Sequence, residues 1–228
     1  MSQRGGVQVT RTVVFDLDGT LADTSGDLLA AANACFTGLG LGTLLGPEDA
    51  GTALRGGKAM LTLGFSRAAG FNQDDVEAEY PKLLTHYGAA LDVHTRMYPG
   101  AMDAVAELTA EGVAVAICTN KPEGLAEALM VSLGHRHAFG ALVGADTLPV
   151  RKPDPAPYLE AVRRVGGEVK RSLLVGDSMT DERTARAAGV PSVSVSFSPD
   201  TSSRAEMSPD AWLDDYADLP AIVARLLD

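Results

Sequence analysis

Two acidic residues directly follow an apolar run near the start of the chain. Asp16 and Asp18, separated by Leu17, come after Val13-Val14-Phe15, a run typical of a buried strand. Carboxylates next to a buried core cost free energy unless they are paired or bind a cation. A carboxylate held at that place can act as a nucleophile, transfer a proton or bind a metal ion. This pair is therefore the first candidate for chemistry in the sequence.

Other polar side chains follow later apolar runs, at the points where further strands are expected to end. In an open parallel sheet, ligands bind beyond the carboxyl ends of the strands, so these groups should meet at one edge. They are Thr119-Asn120 after "VAVAIC", Asp177-Ser178 with Asp181 after "SLLVG", and Lys152 in "VRKPDP" after "ALVGAD".

The elements that must position these groups alternate between strands and helices. The segments "TVVFDLD", "VAVAICTN", "ALVGAD", "SLLVGDS" and "PSVSVSF" read as strands. Amphipathic helices are expected at about 101–111, 122–133, 155–165 and 179–188. Strands that are nearly continuously apolar and alternate with helices predict a doubly wound, mostly parallel sheet, a Rossmann-like α/β core.

The first strand is followed by a long segment in which no further strand is expected. Residues 22–94 read as three or four helices, and we call this segment the helical cap. The predicted catalytic core then comprises residues 1–21 and 95–228, with hinges near Ala22–Ser25 and His94–Pro99.

The combination of motifs resembles the haloacid dehalogenase-like hydrolase superfamily. The resemblance rests on "DLDGT" (Asp16–Thr20), on Thr119-Asn120, on Lys152 in "KPDP" and on "GDSMTD" (Gly176–Asp181), in that order. A helical cap between the first and second motifs also resembles this family. Among its members, the chain is most similar to hydrolases of the phosphoglycolate-phosphatase type.

The resemblance and the chemistry of the residues imply the same division of roles. Asp16 fits a nucleophile that attacks a phosphoryl group, and Asp18 fits the acid and base that moves the proton. Mg²⁺ would offset the negative charge, held by oxygen ligands. By resemblance, the metal ligands are Asp16, the backbone carbonyl of Asp18, Asp177 and Asp181, the last as a ligand or a supporting residue. Thr119, Asn120 and Lys152 would hold the phosphoryl oxygens.

Each of these residues also has a purely structural explanation. Ser178 and Asp181 have the spacing of a helix capping box, Thr119 could cap the next helix, and Lys152 could be a solvated loop residue. Asp18-Gly19 could be only a turn. The joint occurrence of all four motifs in order argues against these explanations.

The predicted function is a Mg²⁺-dependent phosphomonoester hydrolase that acts through an aspartyl phosphate on a small phosphorylated metabolite, with phosphoglycolate favoured. The alternatives are a sugar phosphomutase of the same fold, or a phosphatase for another ester such as a nucleotide or sugar phosphate. A dehalogenase would not need Asp18, and a non-catalytic scaffold would not need the complete set of acids.

Substrate choice should depend on the helical cap, because the core motifs contact only the phosphoryl group and the metal. Arg55 and Lys58, in "LRGGKAML", are candidates for binding the far end of a carboxylated substrate. The alternative is that they belong to a solvated turn between helices.

Composition limits the other functions. The net charge of −11, without a basic stripe, argues against a nucleic-acid partner. No apolar run approaches the ~20 residues that span a bilayer, and the first ten residues lack the apolar core of a signal peptide. We therefore expect a cytoplasmic protein, a monomer or homodimer, in which Cys35 and Cys118 are buried, reduced thiols.

Overall fold

The computed structural model describes residues 11–228, and its centre is a six-stranded sheet with helices on both faces. The expectations that residues 1–10 belong to the core and lack a signal peptide fall outside the described residues. The strands are β1 (Thr12–Phe15), β2 (Ala22–Asp23), β3 (Arg96–Met97), β4 (Ala114–Cys118), β5 (Ala141–Val143), β6 (Ser172–Gly176), β7 (Ser192–Val195) and β8 (Ala211–Leu213). The helices are α1 (Ser25–Gly38), α2 (Ala50–Leu54), α3 (Gly57–Ser66), α4 (Gln73–Ala89), α5 (Ala101–Ala110), α6 (Glu123–Ser132), α7 (Ala156–Arg164), α8 (Met179–Ala188) and α9 (Leu219–Leu227).

The large sheet has the order β5-β4-β1-β6-β7-β8, and all of its strand pairs are parallel. The chain winds outward from β1 in both directions, so the point where the order reverses lies beside β1. Ligands of such sheets bind at that point, beyond the carboxyl ends of the strands. The predicted fold class and the five predicted strands of this sheet are confirmed, and β8 was not predicted.

The core forms because side chains alternate across the central strand. Val13 and Phe15 pack on one face of the sheet with α5, α6 and α9, while Val14 packs on the other face with α7 and α8. All three side chains are fully buried. This two-sided burial explains why the strands are nearly continuously apolar in sequence.

The segment between β2 and β3 contains helices α1–α4, which bury an apolar cluster of their own that includes Phe36, Met60 and Phe65. Its two ends meet in a small antiparallel ribbon, in which Ala22 pairs with Met97 and Asp23 with Arg96. The exact domain boundaries, 21/22 and 94/95, stay a prediction. Within residues 11–228, no helix is both long enough and apolar enough to cross a bilayer.

The two cysteines are free and buried. Burial raises the pKa of Cys35 to about 11 and that of Cys118 to about 12. A thiol with a raised pKa is a poor nucleophile at neutral pH, which agrees with the structural role expected for both residues.

Candidate active site

Three of the predicted acids meet at the carboxyl end of the central strands. Asp16 follows β1 and its backbone N–H donates to the Val175 carbonyl of β6 at 2.8 Å. Asp177 follows β6, and Asp181 lies in the first turn of α8. One carboxylate oxygen from each of the three acids lies within 4.8 Å of the others. The sheet thus gathers residues that are far apart in sequence, as predicted.

Lys152 completes this cluster from the loop after β5. Its Nζ lies 3.0 Å from Asp16 Oδ1 and 2.6 Å from Asp181 Oδ1, and its side chain is only 2% exposed. The alternative of a solvated loop lysine is therefore wrong. Burial alone would lower the pKa of Lys152, but the charges of Asp16 and Asp181 outweigh it and raise the pKa.

The cluster has more negative than positive charge. Burial raises the pKa of Asp16 to about 7; Lys152 lowers it, and the neighbouring acids Asp181 and Asp18 raise it further. Burial, followed by the charges of Asp16 and Asp181, also raises the pKa of Asp177 well above its ordinary value. A buried group of oxygen ligands with unbalanced negative charge fits a hard divalent cation.

The hydrogen bonds of the two acids on the β6–α8 segment differ. Asp177 Oδ2 accepts a hydrogen bond from Ser198 Oγ at 2.6 Å. Asp181 uses both oxygens: Oδ1 accepts from Lys152, and Oδ2 accepts from Ser178 Oγ at 2.6 Å within a helix capping box. The capping box suggested by the sequence is therefore present, and Asp181 also holds Lys152. Of these two acids, Asp177 is the better placed to bind a cation directly.

Gly19 allows the first motif to approach the cation site closely. Its φ is +78°, a left-handed conformation, and a Cβ atom there would lie 2.2 Å from Asp177 Oδ2. Any larger residue would be strained and would displace that carboxylate. The glycine of the first motif thus has a packing reason as well as a conformational one.

The carboxylate of Asp18 does not join the cluster. Its Oδ1 accepts hydrogen bonds from Thr24 Oγ1 at 2.6 Å and from Lys121 Nζ at 2.7 Å. The three acids whose carboxylates cluster are therefore Asp16, Asp177 and Asp181, and the Asp18 carboxylate is not among them. That the backbone carbonyl of Asp18 binds the metal stays a prediction.

Thr119 and Asn120 follow β4 at the same edge of the sheet. Thr119 is 2% exposed, and its Oγ1 accepts from the Lys121 backbone N–H at 3.1 Å, which leaves the hydroxyl hydrogen available to donate. Asn120 Nδ2 donates to the Lys152 carbonyl at 3.0 Å, so it connects the second motif to the third. This contact gives Asn120 a supporting role, and phosphate binding by either residue stays a prediction.

A cleft of about 660 Å³ separates this edge from the helical cap. Arg55, Lys58, Tyr80 and Tyr87 line it from the cap, and Asp16, Asp18, Thr119 and Lys152 are among the lining residues from the core. A small phosphate ester would therefore be surrounded by residues of both parts.

The two cap cations predicted to bind the substrate line this cleft, but each already has a partner. Lys58 Nζ pairs with Glu77 at 2.6 Å. Arg55 donates to Thr52 Oγ1 at 2.6 Å, and its Nε lies 3.9 Å from Asp200 Oδ2. A substrate carboxylate would have to compete with Glu77 or Asp200 for these charges.

Sequence reasoning missed several residues of the site, among which Lys121 is prominent. The Lys121 side chain is 4% exposed and joins Asp18 to the ring of Tyr87, whose centroid lies 4.3 Å from Nζ. Burial alone would lower the pKa of Lys121, but Asp18 and then Tyr87 raise it, so the ammonium stays charged. Lys121 directly follows Thr119-Asn120, a position that could have identified it. Tyr87 and Ser198 carried no comparable signal.

Asp16→Asn is expected to alter how stability depends on pH when divalent cations are chelated. With a pKa of about 7 in the folded protein and 3.8 as the ordinary value, the folded state binds a proton that the unfolded chain releases. Proton binding to Asp16 stabilises the folded state fully below about pH 4, and this stabilisation is lost as the pH rises through about 7. The difference in Tm, variant minus original protein, should therefore increase by at least about 3 °C between pH 5 and pH 8. A Tm difference that does not change with pH in thermal melts would contradict this.

The comparisons with known proteins agree with this geometry. Residues 10–189 match the family described as haloacid dehalogenase-like hydrolase. The chain is 36% identical over 216 residues to a phosphoglycolate phosphatase of Agrobacterium fabrum, covering 94% of this chain and 93% of that protein. It is 38% identical over 223 residues to a phosphoglycolate phosphatase of Mesorhizobium japonicum, covering 94% and 95%.

Solved structures show the same fold. The structure of a predicted phosphoglycolate phosphatase from Haemophilus somnus has a TM-score of 0.82 at 27% identity and covers 95% of this chain and 99% of its own. The structure of CbbY from Rhodobacter sphaeroides, in complex with phosphate, has a TM-score of 0.69 at 26% identity and covers 92% and 96%. Given the match over most of its length, the chain belongs to the haloacid dehalogenase-like hydrolase family.

Proposed function

We propose that this hydrolase is a Mg²⁺-dependent phosphomonoesterase that works through an aspartyl phosphate on Asp16, with phosphoglycolate as its favoured substrate. The observation that carries the proposal is the position of the Asp16 carboxylate, which lines a cleft beside a buried lysine and two further acids. The two phosphoglycolate phosphatases reported above support the choice of substrate.

In the first half-reaction, an oxygen of Asp16 attacks the phosphorus atom of the ester. The bond between phosphorus and the ester oxygen breaks, its electron pair stays on that oxygen, and Asp18 supplies the proton that makes it an alcohol. Lys152 and the Thr119 hydroxyl stabilise the charge that develops on the other phosphoryl oxygens. The product of this step is a phosphoryl group joined to Asp16.

In the second half-reaction, water attacks the same phosphorus atom. Asp18, now deprotonated, accepts a proton from the water, and the bond between phosphorus and the Asp16 oxygen breaks. Inorganic phosphate leaves, and both aspartates return to their initial states. A single residue thus donates a proton in one step and accepts one in the next.

Asp16 and Asp177 would hold the cation, with Asp181 supporting them through Lys152 and the capping box. When bound, Mg²⁺ supplies positive charge that reduces the repulsion between the attacking carboxylate and the anionic ester. The protein itself orients Asp16, since its backbone is hydrogen-bonded to β6 at the end of a rigid strand.

The helical cap, in this proposal, closes over the substrate and selects its leaving group. Its residues line the cleft opposite Asp16, and they can exclude bulk water during the first half-reaction. Phosphoglycolate is small and carries a carboxylate, which suits a cleft that is lined by Arg55 and Lys58.

The test is a screen of the purified protein with Mg²⁺ against phosphomonoesters, including phosphoglycolate, nucleoside monophosphates and sugar phosphates. We expect release of inorganic phosphate, with the highest kcat/KM for phosphoglycolate. Conversion of a sugar phosphate into its isomer without phosphate release would instead indicate the phosphomutase. If no ester in the panel is hydrolysed, the proposed function is wrong.

Arg55→Ala and Lys58→Ala should each lower kcat/KM for phosphoglycolate by roughly tenfold, about the value of one charge-assisted hydrogen bond. Hydrolysis of p-nitrophenyl phosphate, which has no anionic tail, should fall much less. Lys170→Ala is the control, because Lys170 is exposed on the surface of the catalytic core and does not line the cleft. Equal losses on both substrates, or no loss on either, would mean that specificity lies elsewhere in the cap.

A further inference from the structure

Lys121 connects Asp18, the proposed proton-transfer residue, with the helical cap. It lies in the loop between β4 and α6, and its Nζ is 2.7 Å from Asp18 Oδ1. Its backbone N–H donates to Thr119 Oγ1 at 3.1 Å, so the start of the side chain is fixed at the edge of the sheet. The side chain is 4% exposed, and it contacts the Tyr87 ring of α4 on the cap.

The Asp18 carboxylate accepts its hydrogen bonds on one oxygen, Oδ1. Both Thr24 Oγ1 and Lys121 Nζ donate to Oδ1, at 2.6 and 2.7 Å. Across the part of the chain that the structure describes, no hydrogen bond is made to Oδ2. An acid held in this way has one orientation and one oxygen free to carry the transferable proton.

Tyr87 covers this arrangement from the cap. Its side chain is 1% exposed, and its ring centroid lies 4.3 Å from Lys121 Nζ, within the distance of a cation–π contact. Tyr87 lines the cleft, and its hydroxyl is buried. The ring therefore shields the ion pair of Lys121 and Asp18 from water only while α4 lies against the core.

We propose that Lys121 is a positioning residue that orients Asp18 for proton transfer to the leaving alcohol, and that Tyr87 holds Lys121 in place when the cap is closed. This inference rests on the proposed function, because it assigns the step to Asp18. As the bond between phosphorus and the ester oxygen breaks, that oxygen takes the proton from Asp18 Oδ2, while Lys121 keeps its own protons.

The test uses Lys121→Met, which removes the charge but keeps a side chain of similar length. We would measure kcat/KM, which includes only steps up to the departure of the leaving group, for three esters. Phosphoglycolate and ethyl phosphate both release an alcohol that needs a proton, whereas p-nitrophenyl phosphate releases a stable anion that does not. Lys170→Met, at an exposed position, is the matched control.

We expect Lys121→Met to lower kcat/KM by roughly thirtyfold for both alkyl esters and by only about threefold for the aryl ester. The loss is smaller than the roughly 100- to 10,000-fold contribution of general acid catalysis because Asp18 itself is kept. Lys121→Arg, which keeps the charge, should recover part of the loss. Tyr87→Leu should show the same selectivity for alkyl esters, and Tyr87→Phe, which keeps the ring, should lose less than Tyr87→Leu.

Other patterns would overturn the inference. A loss confined to phosphoglycolate would mean that Lys121 binds the carboxylate of the substrate. An equal loss on all three esters, or none, would mean that its role is structural or dispensable. Failure of the unchanged protein to hydrolyse any of them would contradict the proposed function itself, which keeps the two results distinguishable.

Discussion

Asp16→Asn is expected to lower turnover of every phosphate ester by more than about a hundredfold, because an amide cannot replace the attacking carboxylate and a covalent step is lost. Asparagine has nearly the same shape as aspartate and can still accept a hydrogen bond from Lys152. The loss should therefore appear in kcat and should not depend on the leaving group. Steady-state kinetics with an alkyl ester and an aryl ester would measure it.

The control for this variant is its stability. Since the ionised form of Asp16 is disfavoured by burial, Asp16→Asn should melt at or above the temperature of the original protein at pH 8 without divalent cations. An inactive but stably folded variant would separate chemistry from unfolding. Hydrolysis retained above about a hundredth of the original rate would make Asp16 a ligand rather than the nucleophile.

Removal of divalent cations is expected to have an effect of similar size. Asp16, Asp177 and Asp181 bring carboxylates within 4.8 Å of one another, with Lys152 as their cationic neighbour, so an anionic ester would meet strong repulsion. We expect EDTA to abolish activity and Mg²⁺ alone to restore it. The measurement is the rate of phosphate release before and after chelation.

The control is the same chelated protein with Mg²⁺ in excess over EDTA, which shows whether the loss is reversible. Because protons compete with the cation for Asp16, stabilisation by Mg²⁺ should also be larger at pH 8 than at pH 6. Full activity after chelation, in protein that elemental analysis shows to be free of metal, would contradict the cation requirement.

The sheet could be predicted because its strands are short, apolar and buried on both faces, a pattern that few other structures share. The strand β8 was missed because it has only three residues, Ala211–Leu213, between acidic neighbours. Its pairing depends on contacts between distant residues, such as the Ser192 backbone N–H and Asp210 Oδ2 at 2.8 Å. Local periodicity contains no information about such contacts.

The cluster of Asp16, Asp177 and Lys152 was predictable because each residue follows the carboxyl end of a strand in a parallel sheet. The orientation of Asp18 was not, because the chain turns immediately after β1. The Leu17 carbonyl accepts hydrogen bonds from the backbone N–H groups of Leu21 and Ala22, at 3.0 and 3.1 Å. After this turn, the Asp18 carboxylate is held by Thr24 and Lys121 and is not part of the acid cluster.

The contacts between cap and core were beyond sequence reasoning for a similar reason. The contact between Lys121 and Tyr87 requires the position of α4 relative to the sheet, and no local pattern encodes it. Likewise, the cations at Arg55 and Lys58 were recognised, but their partners Asp200 and Glu77 were not. The sequence therefore indicates the chemistry of the phosphoryl group better than the selection of the substrate.

The most direct test of the central claim is to look for the covalent intermediate on Asp16. Asp18→Asn removes the base of the second half-reaction, so p-nitrophenyl phosphate, whose leaving group needs no proton, should phosphorylate this variant and leave the group in place. Rapid acid quenching and peptide mass spectrometry should then find one added phosphoryl group on Asp16, and none in Asp16→Asn. A phosphoryl group on another residue, or full turnover by the unchanged protein with no label on Asp16 at any time point, would contradict the account.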